Sequence, residues 1–235
     1  MRQSGSQVLG KGIYSLAEAE RLIGLSPSTI RRYVFGYGYS HRDRRRLSPP
    51  AFEADYLAVG ASGDHVLPGL SFLDLMELRV VAYFFRVGIR GHEVRSAQIA
   101  TGKRLGSAHP FCTGRFSTLG PRILVDTLGE HGSDGIVEAA KGQRLMREVI
   151  EPYLHEVEIS RDLPVLWRPA EGGGRVILDP KRSFGRPIME KSGVPTDVLA
   201  AASCSWRDTE KVARWYEVEV DEVRAAVKFE VRKAA

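Results

Sequence analysis

The chain has 235 residues, 43% of them hydrophobic and 27% charged, which is typical of a folded globular protein and excludes wholesale disorder. Its most apolar helical stretch, residues 70–87, contains four charged side chains and is therefore no membrane span. The polar N-terminus has no apolar signal region. The two cysteines, Cys112 and Cys204, are isolated from each other, which argues against a disulfide framework or a cysteine zinc site. The sequence predicts a cytoplasmic protein without membrane association.

The net charge of +5 is concentrated in one segment. Residues 26–46 contain six arginines and one aspartate, which also gives +5. A local basic patch is the electrostatic footprint of a nucleic-acid contact. A solvated charged loop is the other interpretation of the same arginines.

Two short helices are predicted after residues 1–12, which are small and polar and are expected to be disordered. Ser15 and Glu18 form a capping box at the start of the first helix. Gly24 ends that helix, and Ser26 followed by proline begins the second. This pattern predicts a helix-turn-helix. Base-reading residues lie in the N-terminal half of the second helix, where this chain has Ser28, Thr29, Arg31 and Arg32.

Aromatic residues at positions 33, 35, 37 and 39 alternate with small residues and predict a strand or wing. Their rings either stack on bases or pack the wing onto the helix pair, and packing is the favoured interpretation. Tyr33 is retained as a candidate DNA contact. Phosphate contact is expected from the arginines that follow, Arg42, Arg44, Arg45 and Arg46.

Ser71 and Asp74 begin a helix that is apolar nearly all round, which predicts a core helix or a dimer interface. A short strand beside a turn is expected at residues 109–111. Thr196, Asp208 and Asp221 are expected to cap three C-terminal helices. The predicted fold class is mainly α with small β elements. It comprises a winged helix-turn-helix region at 13–120, a helix and β-rich connector at 121–178, and a three-helix, helix-turn-helix-like domain at 179–235.

Catalytic motifs are absent from the sequence. The histidines and cysteines lack metal-ligand spacing. There is no phosphate loop, dinucleotide fingerprint or Gly-x-Ser-x-Gly elbow. His131, Ser133 and Asp134 are sequence neighbours that favour a polar turn over a triad. The sequence therefore predicts no catalytic residues, metal or cofactor and disfavours a nuclease.

Two regions carry a resemblance to known families. Residues 14–39, with Ser-Pro-Ser-Thr-Ile-Arg-Arg-Tyr at 26–33, resemble the DNA-binding helix-turn-helix of MerR-type regulators. The C-terminal region is similar to a small prokaryotic domain regarded as an antitoxin component, through Asp179-Pro180, residues 185–188 and 193–196, Val212-Ala213 and Tyr216. Together they resemble the larger VapB-type antitoxins of mycobacteria and relatives. One departure is Glu-Lys-Ser-Gly-Val-Pro at 190–195 in place of the family's Gly-Thr-Arg-Ile-Pro, so the function of that arginine is not carried over.

The resemblance implies an antitoxin that neutralises a cognate PIN-like ribonuclease toxin and represses its own operon by binding operator DNA. A homodimer is expected, because such regulators read paired half-sites. The resemblance also implies that the toxin has an acidic metal-binding site. Arginine pairs with carboxylates in bidentate fashion, so the candidate toxin contacts are Arg168, Arg175, Lys181, Arg182 and Arg186, which are otherwise ordinary surface charges.

The alternative function is a stand-alone MerR-like transcription regulator whose C-terminal domain senses a ligand or joins subunits. On that alternative, apolar residues of the C-terminal half line a pocket instead of packing the core. The residues considered for this are Trp167, Phe184, Trp206 and Trp215.

Overall fold

A computed structural model describes residues 10–41, 44–52, 54–55, 57–60, 66–116 and 151–234. Within these ranges the protein is mainly helical with small antiparallel strand pairs, as predicted. The chain divides into two compact units. The N-terminal unit contains the described residues between 15 and 155 together with 159–164. The C-terminal unit contains residues 10–14, 156–158 and the described residues from 165 onward. Residues 165–178, predicted as connector, therefore belong to the C-terminal unit.

Up to residue 156, the helices within the described ranges are α1 (Leu16–Ile23), α2 (Pro27–Phe35), α3 (Phe72–Arg86), α4 (Gly91–Leu105) and α5 (Glu151–Glu156). Two antiparallel hairpins accompany them, β1 (Tyr37–His41) with β2 (Arg44–Ser48) and β3 (Leu57–Gly60) with β4 (Val66–Gly69). The three predicted helix starts are confirmed, because the hydroxyls of Ser15, Ser26 and Ser71 each accept a backbone N–H of the first turn. The part of the predicted connector before residue 151, residues 121–150, lies outside the described residues.

Helix α3 is the core of the N-terminal unit. Leu75, Met76 and Leu78 are fully buried, and the opposite faces of the helix are buried too. Burial within one chain explains why α3 is apolar nearly all round, so the core interpretation accounts for its sequence.

Two buried carboxylates on α3 hold the surrounding backbone. Glu77 Oε2 accepts the N–H groups of Phe111 at 2.8 Å and Cys112 at 3.0 Å, and Oε1 accepts from Gln98 Nε2 at 2.6 Å. Asp74 Oδ1 lies 2.9 Å from His109 Nε2. Such bonds are what allows charged groups to be buried. Residues 109–111 lead into a turn at Phe111 and Cys112 instead of forming the predicted strand. Pro110 has no N–H to give to a neighbouring strand, and Glu77 accepts that of Phe111.

Burial shifts the proton affinity of this network. Burial raises the pKa of Glu77 to about 7, against the hydrogen bonds and the His109 charge that lower it. Burial by itself lowers the pKa of His109, but the hydrogen bond and charge of Asp74 outweigh it and leave that pKa above its ordinary value.

The C-terminal unit combines short strands with three helices. The strands are β5 (Val157–Ser160), β6 (Leu163–Trp167), β7 (Val176–Ile177) and β8 (Ile188–Met189), of which residues 159–164 belong to the N-terminal unit. The helices are α6 (Thr196–Trp206), α7 (Thr209–Trp215) and α8 (Val220–Ala234). They pack around side chains that have no exposed surface, among them Leu199, Val212, Val223, Ala226 and Phe229.

The segment before α1 also belongs to the C-terminal unit. Tyr14 Oη donates to the carbonyl of Gly185 at 2.7 Å, and the Ile13 N–H donates to Phe184 O. A Cβ on Gly185, whose φ is +83°, would lie 2.3 Å from Tyr14 Oη, so this close approach requires glycine. No helix within the described ranges is long and apolar enough to cross a membrane.

Candidate nucleic-acid interface

Helix α2 presents a polar, basic face to solvent. Its buried side is formed by Ile30, Tyr33 and Val34, which pack into the N-terminal unit. The helical repeat therefore directs Ser28, Arg31, Arg32 and Phe35 outward as one exposed stripe. Thr29 is half-buried. The Ser26 hydroxyl, which caps the helix, lies 2.9–3.0 Å from the hydroxyls of Ser28 and Thr29.

The β1–β2 hairpin follows α2 directly and divides its side chains between two faces. In the antiparallel register Tyr39 is opposite Arg46, whereas Ser40 is opposite Arg45. Side chains directly opposite each other share a face, and successive residues alternate. Arg46 therefore shares a face with Tyr37 and Tyr39, while Arg45 lies on the other.

Aromatic contacts join the first of these faces to α2. The Arg32 guanidinium lies 5.5 Å from the centre of the Tyr37 ring, and the Tyr37 and Tyr39 rings are 5.9 Å apart. Tyr37 and Tyr39 are about 40% exposed, at 38% and 41%. One exposed face therefore contains Arg32, Tyr37, Tyr39 and Arg46. It is called the basic–aromatic face below.

Arg95 of α4 fastens the ends of α2 and β2 together. Its Nη2 donates to Arg32 O at 2.7 Å, and its Nη1 donates to Pro49 O. Arg32 O is among the last four carbonyls of α2, which have no partner in their own helix. The same guanidinium lies 5.1 Å from the Tyr33 ring centre and 5.4 Å from that of Tyr37. Sequence reasoning missed Arg95, because nothing near residue 95 signals a contact so distant along the chain.

Tyr33 is a packing residue in this structure. It is only 4% exposed, packs edge-on against Phe85 and donates from Oη to Gly91 O at 3.0 Å. Burial raises the pKa of its phenol well above the ordinary value, which keeps this donor protonated. The Tyr33 ring is too buried to contact DNA. Tyr33 is therefore a packing residue and is removed from the candidate DNA contacts.

Gly36 makes the tight connection from α2 to β1. Its φ is +74°, and an added Cβ would lie 2.3 Å from Ser48 O. A side chain here would strain the backbone and push the hairpin away from α2.

Replacing Arg95 by alanine should loosen the N-terminal unit. We expect the free energy of unfolding to fall by about 1–2 kcal/mol, because two hydrogen bonds to backbone carbonyls and the contacts with the tyrosine rings are lost. Arg95→Lys should restore only part of this, since an ammonium lacks the planar fork that reaches two carbonyls. Thermal unfolding measures the effect, with the exposed Lys103→Ala on the same helix as control. Equal stability of Arg95→Ala and wild type would contradict this assignment.

The remaining predicted DNA contacts are only partly described. Arg42 lies outside the described residues, and only the backbone of Arg44 is described, opposite His41. Arg45 and Arg46 are both exposed.

Three of the five predicted toxin contacts already have intramolecular partners in the C-terminal unit. Arg168 pairs with Glu158 and Glu190, and Arg186 pairs with Asp197. Arg175 lies 3.8 Å from Asp221. For Lys181 and Arg182, which are exposed, the described residues provide no ion pair.

The described residues contain no group of three or more His, Cys, Asp or Glu side chains arranged to hold a metal ion. The buried titratable cluster of Asp74, Glu77 and His109 has its hydrogen bonds directed at backbone and side chains of the core. Its arrangement serves packing and not access to a substrate.

The fold and this surface define a mainly helical protein with an exposed basic helix followed by a basic hairpin. No family profile matches the chain. The chain is 26% identical over 228 residues to "Putative antitoxin VapB45" of Mycobacterium tuberculosis. The match covers 92% of this chain and 92% of that protein. The predicted resemblance to a VapB-type antitoxin is thereby confirmed. The crystal structure of Rv2018 from M. tuberculosis has a similar fold, with a TM-score of 0.67, 22% identity, and coverage of 91% of this chain and 96% of that one.

Proposed function

We propose that this protein is a DNA-binding antitoxin that neutralises a cognate PIN-like ribonuclease toxin and represses its own operon. The similarity along 92% of the chain to a protein named as an antitoxin carries this proposal, because it spans both units. The same proposal makes it a cytoplasmic, non-catalytic binding protein. Such a protein acts by binding its partners through arginine side chains and cleaves no bond.

For DNA binding, α1 and α2 act as a winged helix-turn-helix of the MerR kind. Ser28, Thr29, Arg31 and Arg32 on α2 face base edges in the major groove, where arginine discriminates guanine through paired hydrogen bonds. The β1–β2 hairpin is the wing, and the arginines that share the face of Tyr37 and Tyr39 contact phosphates. A homodimer would place two such helices on paired half-sites. Sedimentation of the free chain tests that state.

The register of the hairpin makes a selective prediction for its arginines. Arg46→Ala should weaken binding to all DNA sequences and lower the slope of log affinity against log salt by about 1, because one phosphate contact is lost. Arg45→Ala is the matched control. It removes the same charge from the neighbouring position of the same strand, but from the face that Tyr37 and Tyr39 do not share, and should change the slope less. Equal effects of both variants would contradict a one-sided wing.

The antitoxin role is tested with the protein encoded by the neighbouring gene. We expect the two purified proteins to form a stable complex and the chain to inhibit the partner's ribonuclease activity at stoichiometric amounts. Lys181 and Arg182 remain candidate contacts, and Lys181→Ala/Arg182→Ala should weaken inhibition if they face the partner's carboxylates. Absence of both complex and inhibition would contradict the proposal.

The stand-alone regulator is the second candidate. The feature that favours it is a groove in the N-terminal unit, and not in the C-terminal domain to which the sequence assigned ligand sensing. A groove of about 800 Å³ lies beside α2 and α4, with Phe35, Phe52, Gln98 and Lys103 among its lining residues. The volume suits a small ligand. A neighbouring gene product that neither binds the chain nor cleaves RNA would favour this candidate.

A further inference from the structure

Two tryptophans form an exposed pair on the C-terminal unit. Trp206 ends α6 and is 37% exposed, and Trp215 ends α7 and is 71% exposed. Their rings meet edge to face with centroids 5.8 Å apart, and Lys211 Nζ lies 5.3 Å from the centre of the Trp206 ring. The third tryptophan, Trp167, is buried and belongs to the core. Trp206, Lys211 and Trp215 are called the tryptophan patch below.

Tryptophan in this setting points to a binding surface. Large aromatic side chains gain more from burial than most residues, and exposing one costs that gain. Tryptophan and arginine are also enriched among the residues that dominate protein–protein binding energy. Here the two rings already contact each other edge to face, which reduces the rotamer freedom that is lost when a partner covers them.

The charges around the patch indicate what kind of partner it fits. Arg207 and Arg214 flank it, and the described residues provide no ion pair for either or for Lys211. Three exposed acids, Asp208, Glu210 and Glu217, accompany these cations, so residues 206–217 carry no net charge. The Asp208 carboxylate also accepts the Lys211 backbone N–H as the cap of α7. Lys211 is the cation whose position against the rings is given, 5.3 Å from the centre of Trp206, so it complements a carboxylate on a partner that covers the rings.

The wider charge balance favours a protein over a nucleic acid. Residues 196–235 carry eight acids and seven Lys or Arg residues, a net charge of −1, which is not the basic footprint that nucleic-acid binding requires. The basic surface of this chain lies instead on α2 and β2 of the N-terminal unit.

We propose that the toxin docks on the tryptophan patch. The toxin would cover the two rings with an apolar depression of its own surface and place a carboxylate opposite Lys211. This inference rests on the proposed antitoxin function. It assigns partner binding to the ends of α6 and α7, whereas Arg168, Arg175 and Arg186 remain engaged with carboxylates of their own unit.

The test measures the affinity of the full-length chain for the purified protein encoded by the neighbouring gene, by titration calorimetry. Trp206→Ala/Trp215→Ala should weaken binding ~30-fold or more, as expected for residues at the centre of an interface. Val231→Ala, which shortens another exposed apolar side chain of the same unit, is the control. Lys211→Glu should also weaken binding, whereas Lys228→Glu on the exposed side of α8 should not.

Melting temperature and DNA affinity of every variant are measured alongside, and the single Trp215→Ser replaces the double variant if that one does not fold. Tight binding by the tryptophan variants would overturn the patch assignment and leave the antitoxin function standing. Failure of the wild-type chain to bind would overturn the proposed function itself. If the tryptophan variants keep their toxin affinity but lose self-association, the patch binds a second copy of the chain. If they keep it but lose DNA binding, the patch binds nucleic acid. Either result would overturn the assignment.

Discussion

The double variant Arg31→Ala/Arg32→Ala should lose sequence-specific DNA binding. Both side chains lie on the exposed stripe of α2, and an arginine that pairs with guanine contributes roughly 1–3 kcal/mol of discrimination. Together the two substitutions should weaken the binding free energy for the DNA immediately upstream of the gene by about 2–6 kcal/mol, which is at least ~30-fold in affinity. Binding to unrelated DNA should fall much less, because phosphate contacts of the wing remain. Fluorescence anisotropy on both DNAs at one salt concentration measures the difference.

The matched control for this variant removes two positive charges elsewhere. Lys103→Ala/Lys228→Ala does so at exposed positions of α4 and α8. It should lower affinity for both DNAs slightly and equally. If the control and the arginine variant lose the same affinity on both DNAs, α2 contributes only charge and does not read sequence.

The stability of the N-terminal unit should fall as pH rises through neutrality. Burial raises the pKa of Glu77 from 4.5 to about 7, so the folded protein binds this proton more tightly than the unfolded chain. Its contribution is complete below about pH 4.5 and is lost as pH rises through 7, up to about 3 kcal/mol in all. The raised pKa of His109 acts in the same direction, since its proton is also lost later from the folded state.

Glu77→Gln should flatten this pH dependence. The amide oxygen can still accept the N–H groups of Phe111 and Cys112, and the substituted side chain no longer titrates. Urea unfolding between pH 5 and 8.5 measures the change. Glu20→Gln, an exposed carboxylate of α1, is the control and should keep the wild-type profile. A Glu77→Gln profile parallel to that of wild type would refute the assignment of the titration to Glu77.

Local signals were predictable from the sequence. The caps at Ser15, Ser26, Ser71 and Asp208 depend on a side chain and a backbone N–H three residues away, so the local sequence specifies them. Asp221, which the sequence also predicts as a cap, lies instead in the first turn of α8, because that helix begins at Val220. Thr196 is a second exception. It is the first residue of α6, with Pro195 in the capping position, and its hydroxyl contacts Pro187 O and Glu230.

Long-range contacts could not be predicted in this way. Arg95 reaches two carbonyls in other elements, and Glu77 takes the N–H groups of a turn that begins more than thirty residues later in the sequence. Periodicity reports only whether a residue faces the core or solvent. It does not report which polar groups meet there. The division of arginines between two faces of the wing likewise required the register of β1 against β2, which depends on the turn between them.

The most direct test of DNA recognition is the affinity of the wild-type chain for the DNA immediately upstream of its gene, compared with shuffled DNA of equal length and composition. A salt series separates the charge-driven part from the sequence-specific part. We expect at least ~10³-fold tighter binding to the upstream DNA at physiological salt. Equal affinity for both DNAs across the series would contradict operator recognition by this chain. Helix α2 and the basic–aromatic face would then be surfaces for other contacts.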